Sequence, residues 1–216
     1  MNAATPSVVK RGRGRPATHT KQHQMSRLLD AAASQIGSGA VGNVTMDSIA
    51  RAAGFSKKTL YTLVASKEEL ISLLVARDMS SLEMLLHSEV ESAIALQDEL
   101  QKYLLLWARL TLSPLALGIY LMAVQARESA PMLAAIWYRE GAERCQNLLR
   151  KWLVRMAGRG LIASSEVESA IDFIDALIIS QPLKLFGLGV QGGWTDEQVE
   201  QRVATAMSMF CRLYLV

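Results

Sequence analysis

The sequence predicts an all-α protein, with a small helix-turn-helix domain at the N-terminus and a larger helical domain behind it. Three observations predict this. Half of the 216 residues are hydrophobic but only 6% are aromatic, with Ala, Leu and Met plentiful. Apolar residues recur three and four apart, and no long Val- or Thr-rich run alternates with a period of two. Ser, Thr, Pro and Gly stand where helices would start and stop. The length suits a small module joined to a domain with its own core.

Residues 1–24 read as a flexible basic arm containing "VVKRGRGRPATHT", which has no apolar period. From Met25, "MSRLLDAAASQI" places Met25, Leu28, Leu29, Ala32 and Ile36 on one helical face, and "GSGAVGN" then breaks the chain. Thr45 caps a second helix, with Asp47 in the first turn where the helix dipole favours it, and Gly54 stops that helix after about Ala53. Ser56 caps a third helix. Ser66 caps a fourth, with Glu69 completing a capping box, and this helix is expected to reach about His87. Further helices are expected at about 96–112, 114–128, 131–157 and 165–188, and from Thr195 to the end. Pro114 and Pro131 sit at helix starts, while Pro182 should kink or interrupt its helix. The domain boundaries follow: arm 1–24, helix-turn-helix domain 25–71, larger helical domain 72–216.

Charge is unevenly spread. Residues 1–70 hold ten Lys/Arg against four Asp/Glu, a net of +6, while the remainder holds thirteen against sixteen, a net of −3. A basic head on a slightly acidic body points to a polyanionic partner. Within that head, Lys57 and Lys58 occupy the first turn of the third helix, where cations oppose the macrodipole by about 0.3–1 kcal/mol each. A helix-turn-helix accounts for them. Ala50 and Gly54 allow close crossing and a tight turn, and Ile49, Ala53, Phe55, Leu60 and Leu63 fall inward. Lys57, Lys58, Thr59 and Tyr61 then point outward, where a major groove would supply phosphates and base edges. A plain three-helix bundle with a solvated lysine pair is the simpler alternative. The "RGRGRP" of residues 11–16 adds Arg11, Arg13 and Arg15, an extended Arg-Gly-Arg that fits a narrow A·T minor groove. It reads otherwise as a solubilising tail.

Other function classes find little support. Cys145 and Cys211 are far apart and lack metal-ligand spacing, and His19 and His23 have no acidic third ligand nearby. No nucleophile elbow, phosphate loop or dinucleotide glycine run is present, so no catalytic residue, metal or cofactor is expected. The N-terminus lacks the apolar core of a secretion signal, and the longest uncharged apolar run, 110–126, is short for a membrane span and contains Pro114. A soluble cytoplasmic protein without a membrane partner is the expectation.

The stretch "TMDSIARAAGFSKKTLYTLVASKEELISLLV", preceded by "RLLDAAASQIGSGAVGNV", resembles the TetR family of transcriptional regulators over about residues 25–75. The resemblance implies a homodimer with an N-terminal DNA-reading domain and a C-terminal domain that binds a small effector. Carried over by position, it implies that Thr45, Tyr61 and Lys67 contact phosphates and that Lys57, Lys58 and Thr59 face bases, with the cap Ser56 beside them. The chain departs from the family where an aromatic or His followed by Phe is usual, since Leu63 and Val64 stand there.

In the larger domain, Trp107, Met122, Gln125, Trp137 and Phe173 combine large apolar groups with one amide and form the candidate pocket for an apolar or amphipathic effector. Two helical stripes carry Ile174, Leu177 and Ile178, and Val203, Met207 and Phe210. Part of each stripe must be internal core, and the resemblance implies that these helices pair with their mates in a dimer. The resulting expectation is a repressor on palindromic double-stranded DNA, released by its effector. An architectural or activating DNA-binding protein without an effector is the alternative, and a helical enzyme is a remote one.

Overall fold

The computed structural model describes residues 21–39, 41–87 and 90–215, and among them the chain is all-α. Four helices form the head: α1 (Lys21–Gly37), α2 (Met46–Ala52), α3 (Lys57–Leu63) and α4 (Lys67–Glu83). Side-chain caps set three of their starts. Thr45 Oγ1 accepts from the Ser48 amide, Ser56 Oγ from the Thr59 amide, and Ser66 Oγ from the Glu69 amide. The Glu69 carboxylate accepts from the Ala65 N–H at 2.6 Å, one residue beyond the expected capping-box partner Ser66. α1 already includes Lys21, four residues before the expected start at Met25.

The body begins within α4. Its elements are α5 (Ala93–Thr111), α6 (Pro114–Gln125), a rod of α7 (Pro131–Ala135) and α8 (Glu143–Gly158), a second rod of α9 (Val167–Ile174) and α10 (Gln181–Gly187), and α11 (Asp196–Tyr214). Each rod passes through a π-helical segment, Ile136–Ala142 in the first and Asp175–Ser180 in the second. The second segment has a visible cause. Pro182 has no N–H to give the Ile178 carbonyl, and its ring would press on that group in a regular helix. The wider turns let Gln181 N–H bond the Ala176 carbonyl five residues back, so the rod runs on without the break expected at Pro182. α4 ends at Glu83, short of the expected His87, because Leu86 turns into the left-handed region at φ 60°. That residue costs roughly 1 kcal/mol of backbone strain. Its side chain is buried, and its carbonyl accepts from Arg155 Nη2 at 2.6 Å.

Two apolar cores result. One joins Leu28, Ile36, Ile49, Leu60 and Leu70 of the head to Ile119, Met122 and Ala123 of α6 and to Leu133 and Ile136. The other fills the body around Tyr103, Trp107, Trp152, Ile174 and Phe210. Head and body therefore share a core through α6, and a Cβ on Gly118 would lie 2.5 Å from the Ile36 carbonyl oxygen. An Arg77–Asp30 ion pair at 2.7 Å closes the same junction.

Candidate nucleic-acid interface and ligand cavity

The α2–α3 pair is held at fixed geometry from three sides. Gly54 turns the chain at φ 68°, a left-handed conformation suited to glycine, and the Phe55 N–H bonds the Ala50 carbonyl at 2.8 Å. Arg27 of α1 donates to the Ala53 carbonyl at 2.8 Å while its guanidinium lies 5.1 Å from the centre of the Phe55 ring. Gln35 clamps α2, donating to the Ser48 carbonyl at 3.1 Å and accepting from Ser48 Oγ at 2.8 Å. Neither Arg27 nor Gln35 stood out in the sequence, because what they grip is brought to them only by the turn.

These constraints leave one face open. Ser56, Lys57, Lys58 and Tyr61 are exposed on it, Thr45 flanks it, and Thr59 is half-buried with its Oγ1 2.8 Å from Ser56 Oγ. Lys57 is not the uncompensated cation expected of a helix start. Asp47 of α2 accepts from its ammonium at 3.0 Å, and this hydrogen bond holds the lysine above its usual pKa. Lys58 has no ion pair among the described residues. Lys67 is engaged within the head: its ammonium is half-buried and donates to the Val44 carbonyl at 2.7 Å, pinning the start of α4 to the α1–α2 loop. Burial holds this ammonium below its usual pKa. Leu63 and Val64, where the family pattern is broken, are buried. Arg11, Arg13 and Arg15 lie outside the described residues.

In the body, a cavity with about 530 Å³ of atom-free space, its open mouth included, lies between α4, α5, α6 and the first π segment. Val75, Asp78 and Met79 of α4 face Leu110, Thr111, Ala116 and Ile119, and Trp137, Gly141, Ala142 and Cys145 close the far side. Of the five candidate pocket residues only Trp137 is there. Trp107 and Met122 are buried in different cores, Gln125 is exposed, and Phe173 packs edge-on against Tyr214 at 5.8 Å. Size and polarity alone had suggested those four, and the helix rotations send them elsewhere. Asp78 was missed, although its place among Leu74, Val75, Met79 and Leu82 on one face of α4 signals a carboxylate turned inward. Burial raises its pKa above the ordinary carboxylate value. Cys145, pushed up to about 12 by burial, is a packing thiol.

The assignment of dimer contacts to the two stripes also needs correction. Ile174, Ile178, Val203 and Phe210 have no exposed surface within the single chain, Met207 has 6%, and Leu177 is only partly open. Those side chains join α9–α10 to α11 inside one subunit and leave almost nothing for a partner to cover.

The head geometry has relatives. Residues 28–74 match the family model of bacterial regulatory proteins of the tetR family, and residues 98–216, more than half of the chain, match the C-terminal domain of AefR-like transcriptional repressors. The chain belongs to the TetR family. Its fold is shared with a protein of Mesorhizobium loti MAFF303099 described as a TetR-family transcriptional regulator, with a TM-score of 0.71 at 19% identity over 92% of this chain and 100% of that one. A TetR transcriptional regulator from Agrobacterium tumefaciens gives a TM-score of 0.70 at 20% identity, covering 92% and 96% of the two chains. The flavonoid-responsive regulator FrrA gives 0.60 at 25% identity, covering 90% and 98%. No curated protein matches the chain in sequence. As a TetR-family member it is a transcription regulator rather than an enzyme, with its DNA-binding helix-turn-helix in the head and a helical regulatory domain behind it. Among the described residues no single helix is long and apolar enough to cross a membrane.

Proposed function

We propose that the protein is a cytoplasmic, ligand-responsive repressor that binds a palindromic DNA site as a homodimer and leaves it when a small apolar or amphipathic molecule enters the body. One observation carries this reading: a single helix, α4, has its first turn in the head and its residues 75–79 in the cavity wall. Lys67 ties its start to the loop before α2, and Val75, Asp78 and Met79 meet the cavity two to three turns on. Between them, Ser72 Oγ donates to Glu140 of the π segment at 2.6 Å. A ligand pressing on Trp137 and Met79 would shift α4 and so re-aim the head. Coupling of this kind is worth about 1–3 kcal/mol. The sign of regulation rests on the likeness of residues 98–216 to a repressor's C-terminal domain.

In the reading head, Lys57, Lys58 and Tyr61 present donors to phosphates and base edges, with Thr45 at the flank and Ser56 and Thr59 completing the helix tip. Arg11, Arg13 and Arg15 are assigned to the minor groove on sequence alone. The dimer contact moves to the outer faces of the same helices. Ala176 and half-buried Phe173 and Leu177 are what one rod offers, and Ala204, Ser208, Met209 and Leu213 are exposed on α11. Met209 and Leu213 are 37% and 61% exposed. Selecting bound duplexes from a random pool tests the reading. The expected product is an inverted repeat whose half-sites are about one helical turn apart, or slightly more. Recovery of unrelated sequences, bound equally well, would contradict it.

A further inference from the structure

We infer that the cavity selects an organic cation, a lipophilic amine or quaternary ammonium, with Asp78 as its counter-ion and Trp137 as the aromatic face beside it. This deepens the reading of the cavity as the effector site and rests on that reading. Most of the wall is hydrocarbon, supplied by Val75, Met79, Leu110 and Ile119. Asp78 is the one carboxylate lining it. No hydrogen bond or ion pair holds that carboxylate among the described residues.

The cation that acts on Asp78 has its own partner. Arg77, the next residue, bonds Asp30 of α1 at 2.7 Å and acts on the Asp78 carboxylate only through its charge, without a hydrogen bond. Lys and Arg are absent from the lining. Burial outweighs the help from Arg77, so this half-buried carboxylate facing hydrocarbon gains from a cation that enters beside it. A neutral guest would leave it unbalanced, and an anion would be repelled. A guest whose apolar body fills the cavity and whose ammonium reaches Asp78 matches both parts of the wall. Trp137 lines the same cavity, and an aromatic ring there attracts the same cation.

Three soluble probes with one shared body separate the possibilities: 4-phenylbutylammonium, 4-phenylbutanol and 4-phenylbutyrate, each titrated calorimetrically into the full-length chain. The ammonium is expected to bind at least about tenfold more tightly than the alcohol, the size of a charge-assisted hydrogen bond, and the carboxylate more weakly than either. Asp78→Asn should erase the preference for the ammonium while leaving the alcohol's affinity within about twofold. Ala142→Phe, which fills the cavity, should abolish binding of all three, with melting curves confirming that both variants fold. If the alcohol binds as well as the ammonium, or Asp78→Asn keeps the preference, the counter-ion assignment falls and the cavity reading stands. Should Ala142→Phe bind all three probes unchanged, the cavity itself is the wrong site and both readings fall.

Discussion

Among single residues, the fine balance lies between charges at the helix tip and at the cavity. Asp47 neutralises Lys57 in the free protein, so the lysine must exchange that carboxylate for phosphate when DNA arrives. Asp47→Asn should therefore tighten binding to duplex DNA by about two- to tenfold at low salt and narrow the gap between specific and random sequences, as measured by anisotropy on both. Asp78 makes a prediction about pH. Burial holds its carboxyl above the ordinary value of 3.8, so as pH falls the folded chain takes up this proton before the unfolded chain does. The group's penalty on folding grows as pH rises through that window and is complete near neutrality. Asp78→Asn should accordingly melt up to about 2 °C above the wild type at neutral pH, with the difference closing as the pH is lowered toward the ordinary carboxylate range. The sequence revealed the lysines but not their partners, because Asp47 and Lys57 meet only across the α2–α3 turn.

At the scale of elements, the helices with strong local signals were legible. Ser56, Ser66, Pro114 and Thr195 all mark helix starts where their side chains or rings predict it. The π segments were not legible, since a wide turn leaves no mark in a period of three and four. The end of α4 was also hidden, because Leu86 adopts a left-handed conformation held by Arg155 from a distant helix. The pocket residues failed for a related reason. Which face of α5 or α6 turns to the cavity depends on packing, and α6, apolar nearly all round, commits one side to the head's core. That commitment is testable at Gly118, whose missing Cβ lets α6 approach the Ile36 carbonyl. Gly118→Ala should cost about 1–3 kcal/mol in denaturant unfolding and weaken DNA binding as the head is pushed off the body. Unchanged stability would show that the junction yields freely.

For the whole molecule, the fold class and family were readable from one motif of the head, whereas the division of labour along the body needed coordinates. The buried apolar stripes of α9, α10 and α11 are the core of one subunit, so a dimer must use their outer faces. Met209→Asp with Leu213→Asp should turn the dimer into a monomer in sedimentation velocity with little loss of helicity, and the monomer should bind a full inverted repeat no better than a half-site. The central claim for this molecule is that the cationic tip of α3 reads DNA. The most direct measurement is a salt titration of the duplex selected by the wild type and of a random duplex, with the wild type and with Lys57→Ala/Lys58→Ala. The wild type should keep an affinity gap of at least about a thousandfold between the duplexes at every salt concentration. In the double variant the gap collapses and the salt slope falls by about two per subunit, one for each lysine, while the dimer persists. An undiminished gap in the double variant would contradict the account.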